Sequence, residues 1–177
     1  MIMLRLMLLR HAKSDWSRPG LPDRERPLNA RGREAAPMMA AHMSTNDLVP
    51  QRAIVSSAVR TRQTWKLITP TLSRKPETIF EQRIYEASPH TILSVIKETP
   101  DSIKSLMIVG HNPGLQALAL ALVGSGDSEL RDDLAAKFPT GALAVIDFVT
   151  GTWSALRAGA GTLEHFVKPR SLPGEED

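Results

Sequence analysis

Short apolar runs bounded by turn residues predict strands at Leu4–Leu9, Arg52–Ser56, Ile79–Tyr85, Ser105–Val109 and Leu143–Val149. The segments between them carry helical spacing and helix start signals. Asn29 can cap a helix that runs to about His42, with Arg31, Arg33 and Glu34 on its polar side. Val59–Leu72, Pro89–Glu98 and Gly114–Val123 read as three further helices, and Glu129–Lys137 adds a short fifth. Strands that alternate with helices predict an α/β fold, a three-layer α/β/α arrangement around a mostly parallel central sheet. Thr150–Gly151–Thr152 reads as a turn, with Trp153–Leu156 opening an antiparallel edge strand. No repeat, low-complexity tract or long linker divides the chain. Residues 1–168 are therefore expected to form a single domain, and residues 169–177, with two prolines and the acidic end Glu175–Asp177, to fray.

Composition narrows the function classes. A chain of 177 residues, 42% hydrophobic and 23% charged, can build one core, and disorder is not its expected state. The balance of 22 Lys and Arg against 19 Asp and Glu leaves a net charge of +3, a small basis for nucleic-acid binding. Arg60, Arg62 and Lys66 could form a basic stripe, but no aromatic residues alternate with them and no helix-turn-helix or zinc pattern is present. No apolar run approaches the roughly 20 residues of a membrane-spanning helix. Met1–Leu9 is interrupted by Arg5 and followed at once by Arg10, so it is not expected to be a secretory signal. The absence of cysteine removes a disulfide frame, thiolate metal ligands and a thiol nucleophile, and it suits a cytoplasmic protein.

The candidate chemistry follows the strands, because ligands of open α/β sheets collect at the strands' carboxyl ends. Arg10-His11-Ala12-Lys13-Ser14 follows the first strand and Ser56-Ser57-Ala58-Val59-Arg60-Thr61 the second. Gly110-His111-Asn112-Pro113-Gly114 follows the fourth. Taken alone, Arg10 reads as a solvated or ion-paired arginine, His111 as a structural histidine, and Gly110 and Gly114 as turn residues. Taken together they suit a phosphoryl centre. Guanidinium forks grip phosphate oxygens with paired hydrogen bonds and stay charged. A neutral imidazole can attack phosphorus while a second one bonds an equatorial oxygen, and the nearby cations favour the uncharged, nucleophilic imidazole. Lys13, Arg18, Arg24, Arg26 and Arg31 form either a solvated loop or a basic rim that steers an acidic phosphorylated partner. Trp16 and Trp65 read as packing or pocket-wall residues rather than base-stacking platforms.

These motifs resemble those of the histidine phosphatase superfamily, which includes phosphoglycerate mutases and acid phosphatases. Leu8-Leu9-Arg10-His11-Ala12 resembles its Arg-His-Gly signature, with Ala12 in place of the usual glycine. Ser56–Thr64 looks like its second arginine motif and Val109–Pro113 like its second histidine motif; Pro27–Gly32, opening a helix after the first loop, also fits. The short length and the sequence around both histidines look most like the compact SixA-like phosphohistidine phosphatases. The resemblance implies a phosphoglycerate mutase-like fold and a metal-independent phosphatase with no cofactor. His11 would be the nucleophile that forms a phosphohistidine intermediate, with Arg10, Arg60 and His111 binding the phosphoryl oxygens. Lys13, Ser17 and Glu86 join them as substrate-binding candidates. Ser17 occupies the neighbourhood where the family often carries a phosphate-holding asparagine. Glu86 lies near the position of the mutase branch's general acid, although it also reads as a surface carboxylate capping the next helix. Asp15 is a further candidate acid that could fold over the pocket.

The leaving group bears on the substrate. An alkoxide needs a positioned proton donor, worth about 10²–10⁴-fold, whereas an imidazole, with a conjugate acid near pKa 6.5, leaves with little help. A chain too short for a lid domain also points to an open pocket able to admit a histidine on another protein. The expected partner is thus a phosphorylated protein, with a small phosphorylated molecule as the alternative and neither nucleic acid nor membrane involved. A phosphomonoesterase and a non-catalytic phosphate-binding module are the competing readings. Retention of both arginines and both histidines favours an enzyme.

Overall fold

Leu4, Leu6 and Leu8 enter one apolar cluster and Met7 and Leu9 another, so β1 (Leu4–Arg10) is buried on both faces, as a central strand between helical layers must be. The computed structural model describes residues 3–172. After β1 the chain forms α1 (Ala30–Thr45), β2 (Arg52–Ser56), α2 (Val59–Ile68), β3 (Glu77–Glu81), α3 (Pro89–Lys97), β4 (Ser105–Gly110) and α4 (Gly114–Leu122). It continues through β5 (Val123–Gly126), α5 (Ser128–Ala136), β6 (Leu143–Phe148) and β7 (Gly161–Val167). The seven strands form one sheet in the order β3-β2-β4-β1-β6-β7-β5. Pairs β1–β4, β2–β4, β2–β3 and β5–β7 are parallel, while β6 runs antiparallel to both of its neighbours.

The two faces are covered by different helices. Met39, Ala40 and Met43 of α1 and Trp65 and Ile68 of α2 pack with Met7, Leu9, Val55 and Val109 on one side. Ile92, Val95 and Ile96 of α3 and Leu115, Leu118 and Leu122 of α4 pack with Leu6, Leu8, Leu106 and Ile108 on the other. This is the expected three-layer α/β/α sandwich with a mostly parallel sheet. Asn29 caps α1 through its side chain, which accepts from the Gly32 N–H at 2.9 Å.

Several boundaries differ from the sequence expectation. The helix expected over Val59–Leu72 ends at Ile68, where Pro70 turns the chain into a 3-10 segment, Thr69–Thr71. The strand expected to reach Tyr85 stops at Glu81, and Gln82–Ile84 form a 3-10 turn that redirects Tyr85 and Glu86. Trp153–Leu156 does not begin an edge strand. Trp153 is fully buried, its indole N–H donates to Ile103 O at 2.6 Å, and Trp153–Ala155 form a 3-10 plug. The strand that follows is β7, and the edge belongs to β5, a glycine-containing strand that the apolar pattern does not reveal. The tail expected to fray from Pro169 is docked as far as the described residues extend. Pro169–Ser171 form a 3-10 turn and Leu172 joins the cluster beneath α1. The rest of that segment, residues 173–177, lies outside the described residues.

Candidate active site

Strand register assembles the site. Arg10 is opposite Gly110 in the β1–β4 ladder, and Val55 is opposite Val109 in β2–β4. His11 and His111 therefore leave adjacent strands side by side, and the His11 N–H donates to Gly110 O at 3.1 Å. Arg60 enters from the first turn of α2, which the Ser56-Ser57-Ala58 link places directly beyond β2. Tyr85 and Glu86 arrive from the turn after β3. Together these residues line an open cleft of about 630 Å³, joined by Lys13, Ser14, Trp16, Asp23, Asn112 and Lys137.

The histidines are buried and neutral. His11 Nδ1–H donates to the carbonyl of Ala12 at 2.7 Å, which fixes the tautomer and leaves the lone pair on Nε2. Burial, with Arg60 and Arg10 nearby, lowers the His11 pKa to about 4. The His111 pKa falls to about 3 through burial, the neighbouring His11 and Arg60. Ser56 Oγ lies 2.8 Å from His111 Nε2 and accepts from the Ala58 N–H at 3.4 Å, so its hydroxyl is free to donate to the ring. His111 Nδ1–H then remains a buried donor with no partner among the described residues, and Arg10 Nε is another. Arg10 is held by a bond from its Nη1 to Phe138 O at 2.9 Å. Two unsatisfied buried donors beside a neutral imidazole are what an anionic oxygen would complete.

Arg60 is nearly fully buried and engaged by two carboxylates. Its Nη2 donates to Asp23 Oδ2 at 3.0 Å and to Glu86 Oε1 at 2.9 Å, while Nη1 donates to Asp23 O at 2.8 Å. Burial would raise the Asp23 carboxyl, but the Tyr85 hydroxyl and Arg60 outweigh it and hold it below the ordinary carboxylate range. Burial and the bond to Asp23 raise the Tyr85 phenol. Glu86 has a left-handed backbone, with φ +48°, a strained conformation for a residue with a Cβ. It places Oε1 3.8 Å from His111 Nδ1.

Of the residues expected from sequence, Arg10, His11, Arg60 and His111 converge, and Lys13 and Glu86 line the same cleft. Glu86 does not cap α3; Ser88 does, accepting from the Thr91 N–H. Ser17 is outside the cleft. Its backbone N–H donates to Asp15 Oδ1 at 2.7 Å, an Asx turn that folds both residues back on their own loop. Asp15 is outside the cleft too, and the bonds from Ser17 hold its carboxyl below the usual range, unlike a proton donor. The expected basic rim is rearranged. Arg24 bonds Ser57 Oγ, and Arg26 is buried beneath Trp16 with its guanidinium 3.8 Å from the ring centroid. Trp16 is a pocket-wall residue at the mouth, while Trp65 is buried and donates to Thr78 Oγ1. Sequence reasoning missed Asp23 and Tyr85, since nothing in their own segments signals a shared partner in Arg60. Asn112, adjacent to His111, donates to Phe138 O at 3.2 Å and belongs to the same wall. Among the described residues no group of three His, Asp or Glu is arranged to hold a metal ion.

The model of the histidine phosphatase superfamily (branch 1) matches residues 6–89. An uncharacterized protein of Mycobacterium leprae is 34% identical over 167 residues, spanning 92% of this chain and 100% of the relative. The structure of the proposed phosphohistidine phosphatase SixA of Agrobacterium tumefaciens is 31% identical, covers 94% of this chain and 98% of its own, and superimposes with a TM-score of 0.79. The protein histidine phosphatase SixA complexed with tungstate shares the fold at 19% identity, with a TM-score of 0.76 over 95% of this chain and 99% of its own. The chain is a phosphatase of the histidine phosphatase superfamily, of the SixA-like kind.

Proposed function

We propose that this phosphatase removes the phosphoryl group from phosphohistidine on a partner protein, in the cytoplasm, through a covalent intermediate on His11. The observation that carries the proposal is the pair of unpartnered buried donors, Arg10 Nε and His111 Nδ1, beside a histidine whose free nitrogen is Nε2. In the first step the Nε2 lone pair attacks phosphorus. The bond from phosphorus to the substrate imidazole breaks, and that imidazole leaves with the bonding pair and takes a proton from solvent. Arg10, Arg60 and His111 hold the equatorial oxygens as charge shifts onto them. In the second step water attacks the phosphoryl group on His11, the P–Nε2 bond breaks, and inorganic phosphate departs with the neutral imidazole restored.

Two observations favour an N-phosphorylated substrate. Glu86 Oε1, the cleft carboxylate oxygen 3.8 Å from His111 Nδ1, already accepts from Arg60, so it is placed as an acceptor rather than a proton donor. The cleft is open, as a histidine on a protein surface requires. The same Glu86, 3.8 Å from His111, supports the second reading, a small-molecule phosphomonoesterase with Glu86 as acid. A phosphate-release panel separates them. For a phosphohistidine phosphatase kcat/KM should fall in the order phosphohistidine protein, aryl phosphate, alkyl phosphate, because leaving groups worsen along that series. A sugar phosphate turned over best would place the chain in the monoesterase branch.

A further inference from the structure

Beside the catalytic cleft lies a second recess of about 450 Å³ that shares Lys13 and Lys137 with it. Its other cations are Lys168 and Arg170, beyond β7, and Arg31 in the first turn of α1. Among the described residues Asp133 is the only acid on its wall, and it is paired with Lys168 at 3.4 Å. Among the described residues no carboxylate lies within ion-pair distance of Lys13, Arg31, Lys137 or Arg170.

Gathering these cations costs folding free energy through self-repulsion, so the arrangement needs a reason. The backbone is built to hold it. A Cβ on Gly32 would meet Lys13 O at 2.2 Å, so glycine lets the start of α1 press against the Lys13 loop and bring Arg31 to the recess. Asn29 N–H donates to Lys13 O at 3.0 Å at the same junction. On the far wall Gly141, at φ +77°, backs onto Pro169, and the buried Leu172 pins the turn that carries Arg170. The sequence suggested a rim including Arg18, Arg24 and Arg26; the fold replaces them with Lys137, Lys168 and Arg170 from the other end of the chain.

We infer that this recess docks an acidic surface of the phosphorylated protein next to its phosphohistidine. The inference rests on the function proposed above and names the partner's chemistry. A compact phosphate site would use buried, fixed forks such as Arg60. Here Lys13, Arg31, Lys137 and Arg170 are solvent-exposed on flexible stems, which suits several carboxylates spread over a surface. The shared wall makes the two sites continuous, so an acidic stretch flanking the reactive histidine can lie in the recess while its phosphoryl group reaches His11.

Two N-phosphohistidine peptides test this, one with four glutamates flanking the histidine and one with four serines. At low salt the glutamate peptide should show a kcat/KM about 10-fold higher, and the gap should close in 0.5 M NaCl. In the double variant Arg31→Glu, Arg170→Glu the preference should vanish or reverse, while hydrolysis of phosphoramidate, which is too small to reach the recess, stays at the wild-type rate. Equal rates for the two peptides, or a preference that survives the double variant, would overturn the docking inference. Binding of the fluorescently labelled, unphosphorylated peptides is independent of catalysis. If neither phosphopeptide is turned over but the glutamate peptide still binds in a manner lost in the double variant, the recess stands and the phosphohistidine reading fails.

Discussion

The His11 and His111 rings lie 5.4 Å apart, centroid to centroid, tilted by 53°. Two imidazoles this close inside a protein cannot both carry charge cheaply, and Arg10 and Arg60 add to the penalty. The arrangement keeps His11 available as a neutral base and makes His111 a donor through the nitrogen that Ser56 does not occupy.

This pair sets a pH dependence in activity and in stability. With the His11 pKa near 4, ionisation of His11 should leave kcat/KM flat from pH 7 to about 5 and reduce it tenfold per unit below about 4. For stability, the folded state holds His11 and His111 neutral down to about 4 and 3, whereas the unfolded chain takes up protons near 6.5. Between those limits the unfolded state binds more protons, so stability falls as pH drops. The slope contributed is at most about 1.4 kcal/mol per pH unit for each histidine. The urea midpoint should decline from pH 7 to pH 5; a constant or rising midpoint would contradict buried neutral histidines.

Positive charge at the phosphoryl centre is supplied by arginine in this account. Arg60→Ala should cost about 2.7–4 kcal/mol in kcat/KM, the usual loss for one preorganised donor to a transition-state oxygen. Activity should survive dialysis against EDTA. Inactivation by EDTA that Mg²⁺ or Zn²⁺ reverses would assign the charge stabilisation to a metal instead.

Glu86→Gln separates a positioning carboxylate from an acid. It should change phosphohistidine hydrolysis less than threefold and alkyl ester hydrolysis more. A loss of 10²-fold or greater on phosphohistidine would make Glu86 the general acid, since that is the scale of such catalysis.

Gly32→Ala tests the packing that places the first loop. The added methyl meets backbone, Lys13 O at 2.2 Å, and backbone cannot rotate away as a side chain can. A loss of about 1–3 kcal/mol by urea unfolding is expected from overpacking. Phosphatase activity should drop as well, because the displaced segment directly follows His11.

The central layer of this fold was legible because β1, β2, β4 and β6 are apolar on both faces and bounded by turns. β5 was not, since Val123-Gly124-Ser125-Gly126 has no apolar period. It pairs because Gly124 and Gly126 allow Gly159 and Leu163 to approach, with a Cβ on Gly124 falling 1.9 Å from Gly159 O. Trp153 misled the pattern, being apolar for burial in a plug rather than for a sheet face. The Arg10, His11, Arg60 and His111 group was readable because each residue sits at or just beyond the carboxyl end of β1, β2 or β4, three neighbouring parallel strands. Asp23 and Tyr85 meet Arg60 only through folding of a loop and a 3-10 turn, over separations that carry no local signal. Ser17 matched by sequence distance alone, and the Asx turn at Asp15 sends it away from the cleft.

The most direct test of nucleophilic catalysis by His11 is rapid-quench trapping with a ³²P-labelled phosphohistidine peptide, followed by alkaline digestion and mapping of the label by mass spectrometry. An acid-labile, base-stable phosphoryl group should appear on His11 in the first turnover, with no label and no turnover in a folded His11→Ala variant. Phosphate release at near wild-type rate from His11→Ala, or label on any other residue, would contradict it.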